Sequence, residues 1–281
     1  MLVFLPWRLE FGTMLMHWVR HVHIQLRDRP AGVRAVVCCR PGDEPLFPGA
    51  DEYFYDWEDL PDVRKKWASV RDGDHKEYMQ QLVAGLTKRY PGSRIINPPR
   101  KFPSDQTSGN FKPQPRSHIE MPGDKWPQVL IAPRYRNHGV HRNYAHWPEV
   151  FNLLNEHYSV GLLGALSSSV DIPTCHEYWK AWFYDDNLSA TLQMMSKARL
   201  VVTTDSAIAH LAVLAGARLA VIYDEPGVEA GKPEWPWAFG HMKDHAVNYC
   251  SPIIGGWKNP RVVNDFVARQ VSSTVSAAEG L

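Results

Sequence analysis

The sequence predicts an α/β fold built as two tandem domains, each a mainly parallel sheet with helices on its faces. Three observations carry that expectation. Short runs rich in Val, Ile and Leu alternate with stretches of helical spacing, the pattern of βαβ units. The alternation occurs twice, on either side of a proline-rich, aperiodic stretch at residues 98–127. The length of 281 residues is long for one core but comfortable for two domains of about 130–150 residues each.

In the first half, "MLVFLPW" reads as a buried strand, with the loop "RLEFGTM" after it. "LMHWVRHVHIQLRDR" has helical spacing that puts Leu15, Trp18, Val19, Val22 and Leu26 on one face. "PAG" breaks it, and "VRAVVCCR" and "DEYFYDW" read as the second and third strands. "HKEYMQQLVAGLTKRY" is an amphipathic helix ended by "PGS", and "RIINPP" a short fourth strand. The stretch from Pro98 to Pro127, with its basic residues and Phe102 and Phe111, reads as a linker or as a loop near a cleft.

The second half begins with the strand "QVLIAPR", then a helix "WPEVFNLLNEHY" with Pro148 near its first turn, then the strand "SVGLLG". "LSATLQMMSKA" is a helix, "RLVVTTD" a strand, "SAIAHLAVLAG" a helix and "RLAVIYD" a strand. The tail from "NPRVV" reads as a closing helix. The expected division is an N-terminal domain over 1–120, a C-terminal domain over 121–260 and a closing helix over 261–281. Ligands of such sheets sit outside the carboxyl ends of the strands, so two facing sheets would frame one cleft.

Composition narrows the partners. A net charge of +1, from 31 basic and 30 acidic side chains, argues against a bulk nucleic-acid or membrane binder while leaving room for a local basic groove. Cys38, Cys39, Cys175 and Cys250 fit neither a zinc spacing nor a disulfide framework, so reduced thiols in a cytoplasmic protein are expected. "MLVFLPWRLEF" lacks the basic start of a signal peptide, and no segment approaches the roughly 20 apolar residues of a membrane span. "RDGD" at residues 71–74 contains a D-x-D pair of the metal-binding type, but just before a helix it reads as a turn and N-cap. Of the aromatic cluster Tyr178, Trp179, Trp182, Phe183 and Tyr184, most is expected in the core, with one ring free to face a nucleobase. Trp235 is a further candidate for lining a ligand pocket.

The most informative stretch is "VVTTDSAIAHLAVLAG", Val201 to Gly216. Ile208, Leu211, Ala212 and Ala215 share one helix face, Asp205 is the expected N-cap, and Gly216 ends the helix. Read as packing, these polar residues cap a helix and His210 is a half-buried core histidine. Read as chemistry, the N-terminal N–H groups take an anion, with Thr203, Thr204 and Ser206 adding hydroxyl donors. Asp205 would repel phosphate there but would accept a sugar hydroxyl.

The string D-S-x-x-x-H-L-A-x-x-x-G from Asp205 to Gly216, with an apolar strand and "DEPG" after it, resembles the donor-site signature of the ADP-heptose:lipopolysaccharide heptosyltransferases. "VLIAPRYRNHGVHRNYAHWPEVFNLLNEHYSVGLLG" is similar to that family's strand, basic loop, Trp-Pro helix start and next strand. The resemblance covers residues 127–227 well and the first ~50 weakly. It implies the GT-B architecture, two Rossmann-like domains facing a cleft, more securely than it implies heptose. It further implies a nucleotide-sugar held by the C-terminal domain, an acceptor held by the N-terminal domain, and an inverting transfer with neither metal nor cofactor. Arg134, Arg136 and Arg142, in the loop directly after a strand, would then grip the diphosphate, because arginine's planar fork suits phosphate oxygens. Thr203, Thr204, Asp205, Ser206 and His210 complete the implied donor site.

One departure from the family pattern matters. The family has a Gly-Asp pair after the first strand, whose aspartate deprotonates the acceptor; here Gly12 is followed by Thr13, which is no base. Glu10 is the nearest carboxylate and the candidate base, with Arg8, Gly12 and Thr13 as acceptor contacts. The expected acceptor is a bacterial glycan. Alternatives are a viral enzyme that glycosylates a hydroxylated or hydroxymethylated pyrimidine in DNA, a silent nucleotide-sugar binding protein, and a nucleotide-sugar epimerase.

Overall fold

The computed structural model describes residues 1–7, 14–55, 72–98, 114, 116, 121, 125–135, 143–164, 169–182, 188–204, 206–222, 250–253 and 257–278. The chain divides into two units, Met1–Lys112 and Pro113–Leu281. The division falls inside the proline-rich stretch, where periodicity is lost.

In the first unit the described strands are β1 (Leu2–Phe4), β2 (Ala35–Cys38), β3 (Glu52–Phe54) and β4 (Arg94–Ile96). All pair in parallel, in the order β3-β2-β1-β4. Val3 sits between Val36 and Ile95, which is why this short segment is apolar throughout. On one face Val3, Val36 and Cys38 pack against Leu82 and Leu86 of α2 (Asp72–Arg89). On the other, Phe4 meets Trp18 edge to face at 6.1 Å. The helix bearing Trp18 begins with a wider π-helical turn, Met14–Val19, before it becomes α1 (Arg20–Arg27). Leu15, Trp18, Val19, Val22 and Leu26 are all buried, as their spacing predicts; the π turn is not visible in that spacing. Asp72 opens α2, so the D-x-D pair occupies a helix start.

The second unit is larger. Its described strands are β5 (Val129–Ala132), β6 (Val160–Gly164), β7 (Lys180–Trp182), β8 (Leu200–Thr204), β9 (Leu219–Ile222) and β10 (Cys250–Ile253). They form one parallel sheet in the order β10-β9-β8-β5-β6-β7. The helices are α3 (Trp147–Asn155), α4 (Leu188–Lys197), α5 (Ala207–Ala215) and α6 (Pro260–Ala278). Val129, Ile131, Leu200, Val202, Ala220 and Ile222 point to one face, where Trp147, Phe151 and Leu154 of α3 and Val263 and Val267 of α6 cover them. The alternate residues face the other way, towards α4 and α5, which pack on one another.

Strands β7 and β10 are not apparent in the sequence pattern. Both lie at sheet edges, where three or four residues suffice and where a proline such as Pro252 is tolerated because an edge strand is paired on one side only. Trp179, just before β7, packs partly on the core and donates its indole N–H to the Lys125 carbonyl at 3.0 Å. Among the described residues, no helix is long and apolar enough to cross a membrane.

Candidate functional site

Strand order reverses at β5. From there the chain adds β6 and β7 on one side, then returns to lay β8, β9 and β10 on the other. Helices leaving two neighbouring strands in opposite directions cannot close over the gap between them, so a crevice opens at the carboxyl ends of β5 and β8. Ala132 of β5 is the strand partner of Thr203 of β8. Just beyond this pair lie Pro133 and Arg134 on the β5 side, and Thr204 and Ser206 on the β8 side.

The β5 side is held by its own backbone. The Arg134 N–H donates to the Ala132 carbonyl at 2.8 Å, and the Val170 N–H donates to the Pro133 carbonyl at 2.7 Å. Arg134 also forms an isolated antiparallel bridge with Ser169. Arg134 is half-buried at this strand end. Nothing in "ALSSSVD" forecasts that Ser169 and Val170 would fold back onto this strand end.

On the β8 side, Thr203 and Thr204 are buried, at 0% and 1% exposure. The Thr203 and Ser206 hydroxyls share a hydrogen bond at 3.0 Å. The hydroxyl of Thr204 is buried with no hydrogen-bond partner among the described residues. Ser206, with φ −156° and ψ 168°, is the N-cap of α5. This corrects the expectation that Asp205 caps: the helix starts one residue later, at Ala207. The Ser206 side chain makes no capping hydrogen bond to α5, and within the first turn the Ala209 N–H donates to the Ser206 carbonyl at 3.0 Å. His210 lies buried one turn in. At the far end, Gly216 takes φ 72°, the left-handed cap the sequence predicts.

The Trp-Pro pair of α3 plays a packing role. Trp147 is fully buried, and Tyr144 meets it at 5.2 Å and Trp257 at 5.5 Å. Burial in this aromatic cluster, and secondarily the charge of Glu149, push the Tyr144 phenol well above its ordinary range. It therefore stays protonated at neutral pH.

Of the residues singled out from sequence, the structure brings Arg134, Thr203, Thr204 and Ser206 to the carboxyl ends of the adjacent strands β5 and β8, with His210 on the helix that follows β8. Arg136, Arg142, Asp205 and the first-domain set Arg8, Glu10, Gly12 and Thr13 lie outside the described residues. So do Phe102, Phe111, Phe183, Tyr184 and Trp235. Among the described residues no group of three or more His, Cys, Asp or Glu is placed to hold a metal ion.

No family model matches this sequence, and no curated protein matches it. Solved structures do. The chain is similar to Escherichia coli ADP-heptose lps heptosyltransferase II, with a TM-score of 0.58 at 14% identity over 98% of this chain and 99% of that one. It is also similar to the E. coli heptosyltransferase WaaC with ADP, with a TM-score of 0.51 at 13% identity over 96% and 100%. The likeness spans both units and defines the class of fold, the GT-B-like build of two Rossmann-like α/β units.

Proposed function

We propose that this chain is a glycosyltransferase that moves a sugar from a nucleoside-diphosphate donor to a hydroxyl of a glycan. One observation carries the reading. At the switch point of the second sheet, an arginine anchored through its backbone, two buried threonines and a helix N-terminus lie at the carboxyl ends of two neighbouring strands. A guanidinium opposite a helix N-terminus is an anion site. The flanking hydroxyls supply the neutral donors and acceptors that a sugar or ribose needs. The fold shared with two heptosyltransferases, one of them holding ADP, supports a nucleotide-sugar over other anions.

In this reading the acceptor oxygen bonds to the anomeric carbon while the bond from that carbon to the diphosphate breaks. The electron pair leaves on the diphosphate oxygen, and the acceptor proton passes to a carboxylate. Arg134, with Arg136 and Arg142 from the same loop, and the N-terminus of α5 stabilise the departing charge, which removes the need for a metal. Glu10, in the loop after β1, is the base, with Arg8, Gly12 and Thr13 contacting the acceptor. Attack opposite the leaving group inverts the anomeric centre.

The test is calorimetric and thermal-shift binding of the purified chain to ADP, other nucleoside diphosphates and their sugars, with and without magnesium. A ligand at about 100 times its Kd raises stability by roughly 2.7 kcal/mol; the expected result is such a rise with one nucleotide family and no magnesium requirement. No rise with any of them sinks the donor-site reading. Glu10→Gln is then expected to lower turnover by about 10²–10⁴-fold while donor binding persists. Unchanged turnover would remove Glu10 from the mechanism.

A further inference from the structure

Among the described residues one large hydrophobic side chain is left exposed, that of Tyr135, at 56%. A single exposed tyrosine on an arbitrary surface means nothing. This one comes immediately after Arg134, on the rim of the crevice where strand order reverses, three residues past the position paired with Thr203. The Val170 N–H to Pro133 carbonyl bond and the Arg134–Ser169 bridge anchor the two residues before it. The ring is therefore presented from a fixed point about 3.8 Å, one Cα–Cα step, from the arginine assigned to the diphosphate.

We infer that Tyr135 is the stacking surface for the nucleobase of the donor, an assignment that rests on the nucleotide-sugar reading above. In a nucleoside diphosphate, one ribose separates the base from the phosphates, so an aromatic ring beside the phosphate grip lies within reach of the base. A flat π face meets a planar base over its whole area, whereas a puckered sugar touches it through a few C–H groups. Tyrosine also suits a half-wet position, since its hydroxyl stays in solvent while the ring is covered. This makes Tyr135 a determinant of nucleotide affinity that the basic residues around it do not supply. Arginines grip any diphosphate; a stacking ring favours one that carries a base.

The experiment compares wild type, Tyr135→Ala and Tyr135→Phe by calorimetry, with inorganic pyrophosphate, with ADP, GDP, CDP and UDP, and with a sugar conjugate of the preferred nucleoside diphosphate. Because the ring is exposed, both variants are expected to melt with wild type. Tyr135→Ala is expected to bind the preferred nucleoside diphosphate roughly tenfold more weakly, Tyr135→Phe to bind it as wild type does, and all three to bind pyrophosphate equally. Equal nucleotide affinity in Tyr135→Ala overturns the assignment, as does an equal loss for pyrophosphate. A loss seen with the nucleotide-sugar but not with its nucleoside diphosphate places the sugar on the ring and overturns it too. Pyrophosphate binding by wild type without preference for any nucleoside diphosphate rejects the stacking role and leaves the phosphate grip. Failure of wild type to bind either rejects the donor-site reading itself.

Discussion

Thr203 and Thr204 are adjacent and equally buried, yet replacing each by valine is expected to act in opposite directions. Valine has nearly the shape of threonine, so each change trades a hydroxyl for a methyl. At Thr203 the hydroxyl shares a 3.0 Å bond with Ser206; losing it costs about 0.5–1.5 kcal/mol, against about 0.8 kcal/mol returned by the extra buried methyl. Thr203→Val should thus be neutral or mildly destabilising. At Thr204 the hydroxyl is buried with no partner among the described residues. Removing such a group relieves roughly 1–3 kcal/mol of desolvation and adds the same methyl, so Thr204→Val should raise stability by about 2–4 kcal/mol. For a domain of this size that is a rise of at least roughly 4 °C in melting temperature, measurable by calorimetry of the unliganded protein. If the same hydroxyl reaches the donor, the stabler variant should bind the nucleoside diphosphate about tenfold more weakly. A melting temperature at or below wild type would refute the argument from the unpaired hydroxyl. A stabilised variant with full affinity would remove Thr204 from the site.

Arg134→Ala should weaken pyrophosphate and nucleoside diphosphate together, by about tenfold or more, with Arg134→Lys recovering part of the loss because a point charge replaces a fork; a selective effect on nucleotide would speak against a phosphate role. Gly161→Ala should cost about 1–3 kcal/mol in urea unfolding, because its added Cβ would lie 2.9 Å from both the Leu130 side chain and the Trp179 carbonyl oxygen, and backbone does not yield cheaply; wild-type stability would show that this approach is looser than the geometry says. Burial, first among the causes, pushes the Cys38 thiol up to about 12 and the Cys175 thiol up to about 11, from 9.0. Above pH 9 the unfolded chain gives up thiol protons that the native state keeps, so it binds fewer protons and stability falls as pH rises. Denaturation midpoints measured from neutral pH to about pH 10 should show this decline, and Cys38→Ala should flatten it; a midpoint that rises with pH in the wild type would contradict it.

Much of the fold was legible because each principal strand is a short apolar run and each principal helix has a one-sided stripe. β5 and β9 are buried on both faces and read as continuous Val, Leu, Ile and Ala, and β8 does so up to its closing Thr203-Thr204. What escaped was structure that depends on partners far along the chain. β7 and β10 become strands only because a neighbour offers an edge; β7 is three residues of mixed character, and β10 contains a proline. The π turn of Met14–Val19 keeps the same buried residues as an α-helix would, so its spacing hides it. The site was half legible. Thr203, Thr204 and Ser206 stand out because hydroxyls after an apolar strand are rare without a cap or a ligand. The cap itself was misplaced by one residue, since Asp205 and Ser206 are both good caps. Tyr135 was invisible because exposure is not written in a residue's identity, and nothing in the composition of the 169–170 segment announces that it buttresses β5.

The winding order has a further consequence, for how the molecule is made. In each sheet the strand synthesised first ends up in the interior, and its second neighbour arrives last or late: β4 beside β1, β8 beside β5. As the chain emerges, β5 pairs with β6 at once, while its other edge stays open until Leu200–Thr204 has been made and folded back. That open edge is the side on which the crevice will form. The nascent second unit therefore passes through a stage with an unpaired apolar edge, a stage at which chains stick to one another and folding slows. The binding crevice is absent throughout that stage and comes into being only with the pairing that ends it.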